Sequence, residues 1–342
     1  MRAEGYMTNP AALTEFLRTL PPGLDAMALG QTLTAMVGEG LDALPLPGSG
    51  QTLERWRMLA QVAAQDLGLC KLYEGHTDAL AIMAELGADA PPPRSTWGTW
   101  AAEPPQARVT LHGDAEQVRL RGRKAWCSGA AVVSHGLLTA WDDAGRQCLV
   151  AVDLNQPGVR ITSDGWQAVG MAATASVDML FDDAEARRIG PPAGYLERPG
   201  FWQGGAGIAA CWYGGTEALA EYLRASASRR DDPHALAHLG RVDTLLQGAR
   251  SALAACATWI DRHPREDAQW HTRRVRALVE ECAETVQAAV GRALGAQPFC
   301  REAHFARLAA DLPVYLRQSH GERDLAVLGE RVRNESTGSW KL

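Results

Sequence analysis

The spacing of apolar residues changes twice along the chain. From about residue 9 to residue 90, Leu, Ala, Met and Val recur at three-and-four spacing in stretches such as LERWRMLAQVAAQDLG and HTDALAIMAELG, each closed by a glycine. Positions i, i+3, i+4 and i+7 share one face of a helix, and a glycine past the last apolar position ends it, so this block is predicted to form amphipathic helices. The segment ADAPPPRSTWGTW (88–100) stops the pattern, because consecutive prolines lack amide donors and hold the chain extended.

Between about 106 and 190 the period falls to two. ARVTLHG, EQVRLRGR, HGLLTAWD, RQCLVAVDL, GVRITSDG and SVDMLFDD are short, alternating or β-branched, and separated by Gly, Asp and Asn. They predict a small antiparallel β-domain. Beyond GPPAGYLERPGF the helical period returns, with Val242, Leu245, Leu246, Ala249, Leu253, Cys256 and Ile260 on one stripe and Val275, Leu278, Val279, Cys282, Val286 and Val290 on another. Stripes of this length predict long helices in a bundle that can pair with a second subunit. The predicted fold class is α+β, mostly α, with an N-terminal helical domain (1–95), a middle antiparallel β-domain (96–190) and a C-terminal long-helix bundle (191–342).

Composition narrows the chemistry. A formal net charge of −6 and a pI near 5.9 supply no basic field for nucleic acid or an anionic membrane. The local cluster HTRRVR (271–276) is read as the wet face of a helix. Seven scattered cysteines without a CxxC pair, and no His/Cys spacing suited to tetrahedral zinc, predict reduced thiols in a cytoplasmic protein with no metal site. No apolar run reaches the ~20 residues of a membrane span, and MRAEGYMTNP carries no secretory pattern. The P-loop, GxGxxG, HExxH and GxSxG patterns are absent from the sequence. FWQGGAGIAACWYGG is glycine-rich but follows no strand, so its small residues are read as allowing close helix packing.

One stretch carries more. GRKAWCSGA (122–130) places an indole, a thiol and a hydroxyl in a row after the alternating run VRLRGR. Alone it reads as a strand end, with Trp126 packed inward and Ser128-Gly129 opening a turn. Together with the order of helices, strands and helices, it resembles the acyl-CoA dehydrogenase family of FAD flavoproteins over nearly the whole chain. The family pattern G-x-K-x-W-[IV]-[TS]-[NG] is met by Gly122, Lys124, Trp126, Cys127, Ser128 and Gly129, and its later G-[ML] turn and F-[DE]-[DN] strand end by Gly170-Met171 and Phe181-Asp182-Asp183.

The resemblance implies a flavin site. Trp126 would lie against the isoalloxazine, Cys127 would fill the apolar slot, and Ser128 or its backbone would meet the N5 edge, where a donor stabilises charge as hydride arrives. The T-E-P-x-x-G-S-D entrance survives as WAAEPPQAR, with Ala102 in place of Thr and Glu103-Pro104 kept. On the dinucleotide side, Arg229 stands for the arginine of R-x-x-F-G, and Arg292 with Gly295 stands for the start of Q-x-x-G-G-x-G-F.

The implied reaction is α,β-dehydrogenation of an acyl thioester carried by CoA or an acyl-carrier protein. Electrons would pass to an electron-transfer flavoprotein, and the chain would assemble as a homodimer or homotetramer. The base at the E-G-T position falls on or next to Asp311, for which a helix N-cap before Leu312-Pro313 is the competing reading. The earlier alternative position holds Gln203, which is no base. Two other readings stay open: a flavin-dependent monooxygenase of the same fold, and a non-catalytic relative that serves as a binding partner.

Overall fold

The computed structural model describes residues 7–113, 116–229, 231–335 and 340–341. The chain opens with α1 (Pro10–Arg18), α2 (Ala26–Gly38), α3 (Thr52–Gln65) and α4 (Leu67–Glu85). Three of these start where a carboxylate or amide side chain satisfies the free amides of the first turn. Asn9 caps α1 ahead of Pro10, Asp25 caps α2, and Asp66 caps α4 by accepting the Leu69 amide at 2.9 Å. Helix α4 is buried on almost every side and packs against both the first strand and the later helices.

Seven strands follow: β1 (Trp97–Trp100), β2 (Val109–His112), β3 (Gln117–Cys127), β4 (His135–Trp141), β5 (Gln147–Asp153), β6 (Val159–Ile161) and β7 (Val177–Ile189). Strand β3 pairs antiparallel with β2 and β7, and β5 pairs antiparallel with β4 and β7. The ring closes through a parallel contact of β2 with β4, giving a five-stranded barrel. To it β1 adds parallel to β4, and β6 adds antiparallel to β7. The expected antiparallel β-domain is thereby corrected. Alternation states which face a residue takes, but it holds no information on a strand's neighbour or direction.

The C-terminal helices are α5 (Gly194–Glu197), α6 (Gly200–Ala227), α7 (Pro233–Arg262), α8 (Gln269–Leu294), α9 (Gln297–Arg301), α10 (Ala303–Leu316) and α11 (Gly321–Asn334). Helix α6 is gripped by α3, α7 and α8. A Cβ on Gly214 would collide with the Ala60 carbonyl, so the small residues of this helix do set its distance from α3.

The expected layout of three domains is corrected as well. One apolar core runs without a break from Leu13 and Trp56, through Leu120 and Met179 of the barrel, to Trp212, Val286 and Leu312. The prolines that read as a boundary lead directly into β1, which lies on α4.

Candidate functional site

A cavity of about 900 Å³ lies where α4, β1, the end of β3, α6, α8 and the α10–α11 corner meet. Its barrel wall is made by the stretch that stood out in the sequence. The pairing of β3 with β7 slips between Lys124 and Cys127, and at that bulge Trp126 takes a left-handed backbone (φ 58°) and is 48% exposed. A bulge re-aims a side chain, and holding an aromatic residue at positive φ costs about 1–2 kcal/mol. That cost places an indole on the cavity wall instead of in the core.

Ser128 and Ala102 also line the cavity, whereas Cys127 is fully buried behind it. Burial pushes the Cys127 thiol well above its ordinary pKa, so it is not a nucleophile.

The proton on Ser128 has a fixed direction. A hydroxyl carries one proton. Thr174 donates its own to the Met171 carbonyl at 2.7 Å, so it accepts from Ser176 at 2.8 Å, and Ser176 in turn accepts from Ser128 at 2.8 Å. Toward the cavity Ser128 therefore offers a lone pair.

Beneath this wall two residues of the sequence motifs meet. Lys124 is buried inside the barrel and donates to the Thr139 carbonyl (2.9 Å) and hydroxyl (2.7 Å), with Glu103 3.6 Å away. Burial lowers the Lys124 pKa to about 8 against the pull of Glu103. Glu103 also accepts from Thr139 (2.6 Å) and from the Trp141 indole (3.0 Å), which fixes the segment that carries Ala102.

The opposite wall comes from helices far apart in sequence. Lys71 and Glu74 of α4 pair at 2.8 Å, and Tyr315 of α10 donates to Glu74 at 2.9 Å. Burial alone would lower the Lys71 pKa, but the Glu74 carboxylate outweighs it and holds the ammonium above its ordinary value. Burial pushes the Tyr315 phenol well up. Asp78 pairs with Arg55 at 2.8 Å, and Asp324 pairs with Arg273. Lys71, Glu74, Asp78, Arg55 and Tyr315 did not stand out in the sequence. HTRRVR in particular is corrected: the helix phase turns Arg274 outward but brings Arg273 and Arg276 to the cavity.

Met171 of the Gly170-Met171 turn also lines the cavity, but Asp311, Gly295, Arg229 and Arg292 do not. Asp311 lies within α10 and not at its N-cap; its carboxylate accepts the Met171 amide and stands 3.5 Å from Arg307. Burial raises its pKa, with the Met171 amide and Arg307 pulling the other way. Gly295 ends α8 with φ 66°, Arg229 is exposed just after α6, and Arg292 borders a separate cavity of about 260 Å³ beside His238 and Arg241.

The main cavity fits a flat heteroaromatic ligand with polar edges. Trp126, Trp166 and Trp202 supply apolar faces. Four lining residues hold buried polar atoms that have no partner among the described residues: Gln147 Oε1, Gln318 Oε1, Arg198 Nε and Arg273 Nε. Such atoms call for a ligand or water to satisfy them.

No family model and no curated protein matches the sequence. Solved structures do. The chain superposes on KijD3, determined with FMN and a dTDP-linked amino-keto-glucose derivative, at a TM-score of 0.76 and 18% identity, over 96% of this chain and 93% of that one. It superposes on the methanesulfinate monooxygenase MsuC from Pseudomonas fluorescens at 0.78 and 16%, covering 97% and 98%. FMN-bound TdsC from Paenibacillus sp. A11-2 gives 0.75 and 18%, covering 95% and 94%. At such identity the shared property is the fold. KijD3 and TdsC were determined with FMN, MsuC and TdsC are named as monooxygenases, and none of the three is named as an acyl-thioester dehydrogenase.

Proposed function

We propose that this chain is a flavin-dependent monooxygenase that works with reduced FMN, in place of the FAD-dependent acyl-thioester dehydrogenation implied by the sequence resemblance. The observation that carries the reading is the state of the carboxylates. Among the described residues, each carboxylate on the cavity wall is held by a cation: Glu74 by Lys71, Asp78 by Arg55, and Asp324 by Arg273. Removal of an α-proton needs a desolvated carboxylate that is not paired away. Asp311, the base expected from the sequence, is engaged by Met171 and Arg307 outside the cavity.

Reduced flavin, when bound, supplies the two electrons with which O2 is split, one oxygen entering the substrate and the other leaving as water. The protein's own groups fit that task. Trp126 shields one side of the cavity from water, and Ser128 presents an acceptor, which suits a reduced ring because that form carries N5–H. The Lys71–Glu74–Tyr315 cluster holds exchangeable protons at the helical wall. The FMN-bound neighbours favour the mononucleotide. In this reading O2 takes the place of an external protein acceptor, and the chain assembles as a homo-oligomer through its C-terminal helices.

The test is spectroscopic. The purified protein is mixed anaerobically with FMN and a panel of acyl thioesters, then separately with photoreduced FMN and O2. We expect no bleaching by any thioester and an altered rate of oxygen-dependent reoxidation when the protein is present. Stoichiometric anaerobic bleaching by an acyl thioester would overturn the reading.

A further inference from the structure

Helix α8 brings two arginines one turn apart to the cavity, and their surroundings differ. Arg273 has a carboxylate partner, Asp324, and its guanidinium lies 4.7 Å over the Trp202 ring. Arg276 has none among the described residues. Its Nη atoms donate only to backbone carbonyls, Gly205 at 2.7 Å and Gln318 at 3.2 Å, and its guanidinium sits 4.6 Å over Trp212.

Arg276 is 9% exposed. A buried cation is ordinarily matched by an anion, because dipoles alone repay only part of its lost hydration. Burial lowers the Arg276 pKa against the pull of Asp324, Glu280 and Glu74, whose ion pairs go to Arg273, Arg317 and Lys71 instead. Two carbonyl bonds leave most of the five guanidinium N–H donors uncommitted. Nearby, the buried Nε of Arg273 also has no partner among the described residues. Stacking on indoles holds both planar forks in place, an arrangement suited to the paired oxygens of an oxyanion.

We infer that the α8 corner of the cavity, built on Arg276 and assisted by Arg273, is an oxyanion-binding site. The site stands on its own geometry. Assigning its occupant to a carboxylate or sulfonate group of the substrate rests on the proposed monooxygenase reading, and the flavin phosphate is the other source of the same chemistry.

The experiment titrates the flavin-free full chain with inorganic sulfate at constant ionic strength and follows tryptophan emission, since Trp202 and Trp212 underlie the two guanidiniums. We expect saturable binding that Arg276→Met weakens by about tenfold or more and Arg276→Lys by less, because the ammonium keeps the charge and loses the fork. Asp324→Asn, which frees Arg273, is expected to tighten binding by roughly threefold. If Arg276→Met does not fold, the Asp324→Asn protein decides alone: tighter sulfate binding supports the site, and unchanged or weaker binding overturns it. Sulfate titrations identical in the parent and in a folded Arg276→Met protein also overturn it.

A second arm compares FMN with riboflavin. Loss of FMN affinity relative to riboflavin in Arg276→Met assigns the anion to the flavin phosphate, and an unchanged ratio assigns it to the substrate. Failure of the chain to bind any flavin would remove the monooxygenase reading and leave the sulfate result intact.

Discussion

The hydroxyl oxygens of Ser128 and Ser176 lie 2.8 Å apart, in a chain that ends on the Met171 carbonyl, so Ser128 spends its only proton on Ser176. The consequence concerns which flavin redox state the cavity prefers. An acceptor at the wall favours a ring that carries N5–H over one with a bare nitrogen. In Ser176→Ala the Ser128 proton becomes free to turn toward the cavity. The ratio of reduced to oxidised FMN affinity is then expected to fall by about tenfold, the value of one hydrogen bond made or lost. Paired anaerobic and aerobic FMN titrations measure that ratio, and an unchanged value would show that Ser128 does not face the flavin edge.

Trp126 makes a second prediction because it combines exposure with a positive φ. Glycine tolerates this backbone without penalty, so Trp126→Gly is expected to hold or raise stability by up to ~1 kcal/mol in urea unfolding. The same change removes the aromatic wall and is expected to weaken FMN binding by about tenfold. Such opposed effects mark a residue kept for a ligand. A variant that loses stability and binds FMN like the parent would make the indole a packing element.

Asp311 is expected to act through structure. Its carboxylate secures the Gly170-Met171 turn through the Met171 amide. In Asp311→Asn the amide oxygen can keep that bond, and only the contact with Arg307 is lost. We expect stability to fall by ~1 kcal/mol and oxygen-dependent turnover to stay within about twofold of the parent. A hundredfold loss of turnover in a folded Asp311→Asn protein would restore it as a catalytic base.

What the sequence made legible follows from distance along the chain. Trp126, Ser128 and Ala102 were readable because each sits in a short local motif, and the structure brings all three to one cavity. The opposite wall had no such signal, since Lys71, Glu74, Arg276 and Tyr315 come from three helices that only packing unites. Arg276 did leave a trace. It falls in phase with the buried Val275–Val279 stripe, and a cation on an apolar stripe is a candidate for a buried partner. Barrel closure left none, because the same alternating strands satisfy open and closed sheets alike.

Lys124 gives a prediction that needs no ligand. An unfolded lysine holds its proton up to about 10.5, but burial lets Lys124 lose it at about 8. Between those values the unfolded chain binds more protons than the folded one, so this residue's contribution makes stability rise with pH. The contribution is complete above 10.5 and is lost as pH falls through 8. Its full size is ~3 kcal/mol, with the pull of Glu103 on Lys124 already contained in that pKa. In Lys124→Met this dependence should vanish, so the difference in unfolding free energy between parent and variant must change in the parent's favour from about pH 8 to pH 10.5. Other groups titrate in that range, but they are common to both proteins and cancel in the difference. Urea unfolding of the two proteins across the range measures it. A constant difference would mean that Lys124 keeps its charge inside the barrel, held there by Glu103 and the two oxygens of Thr139.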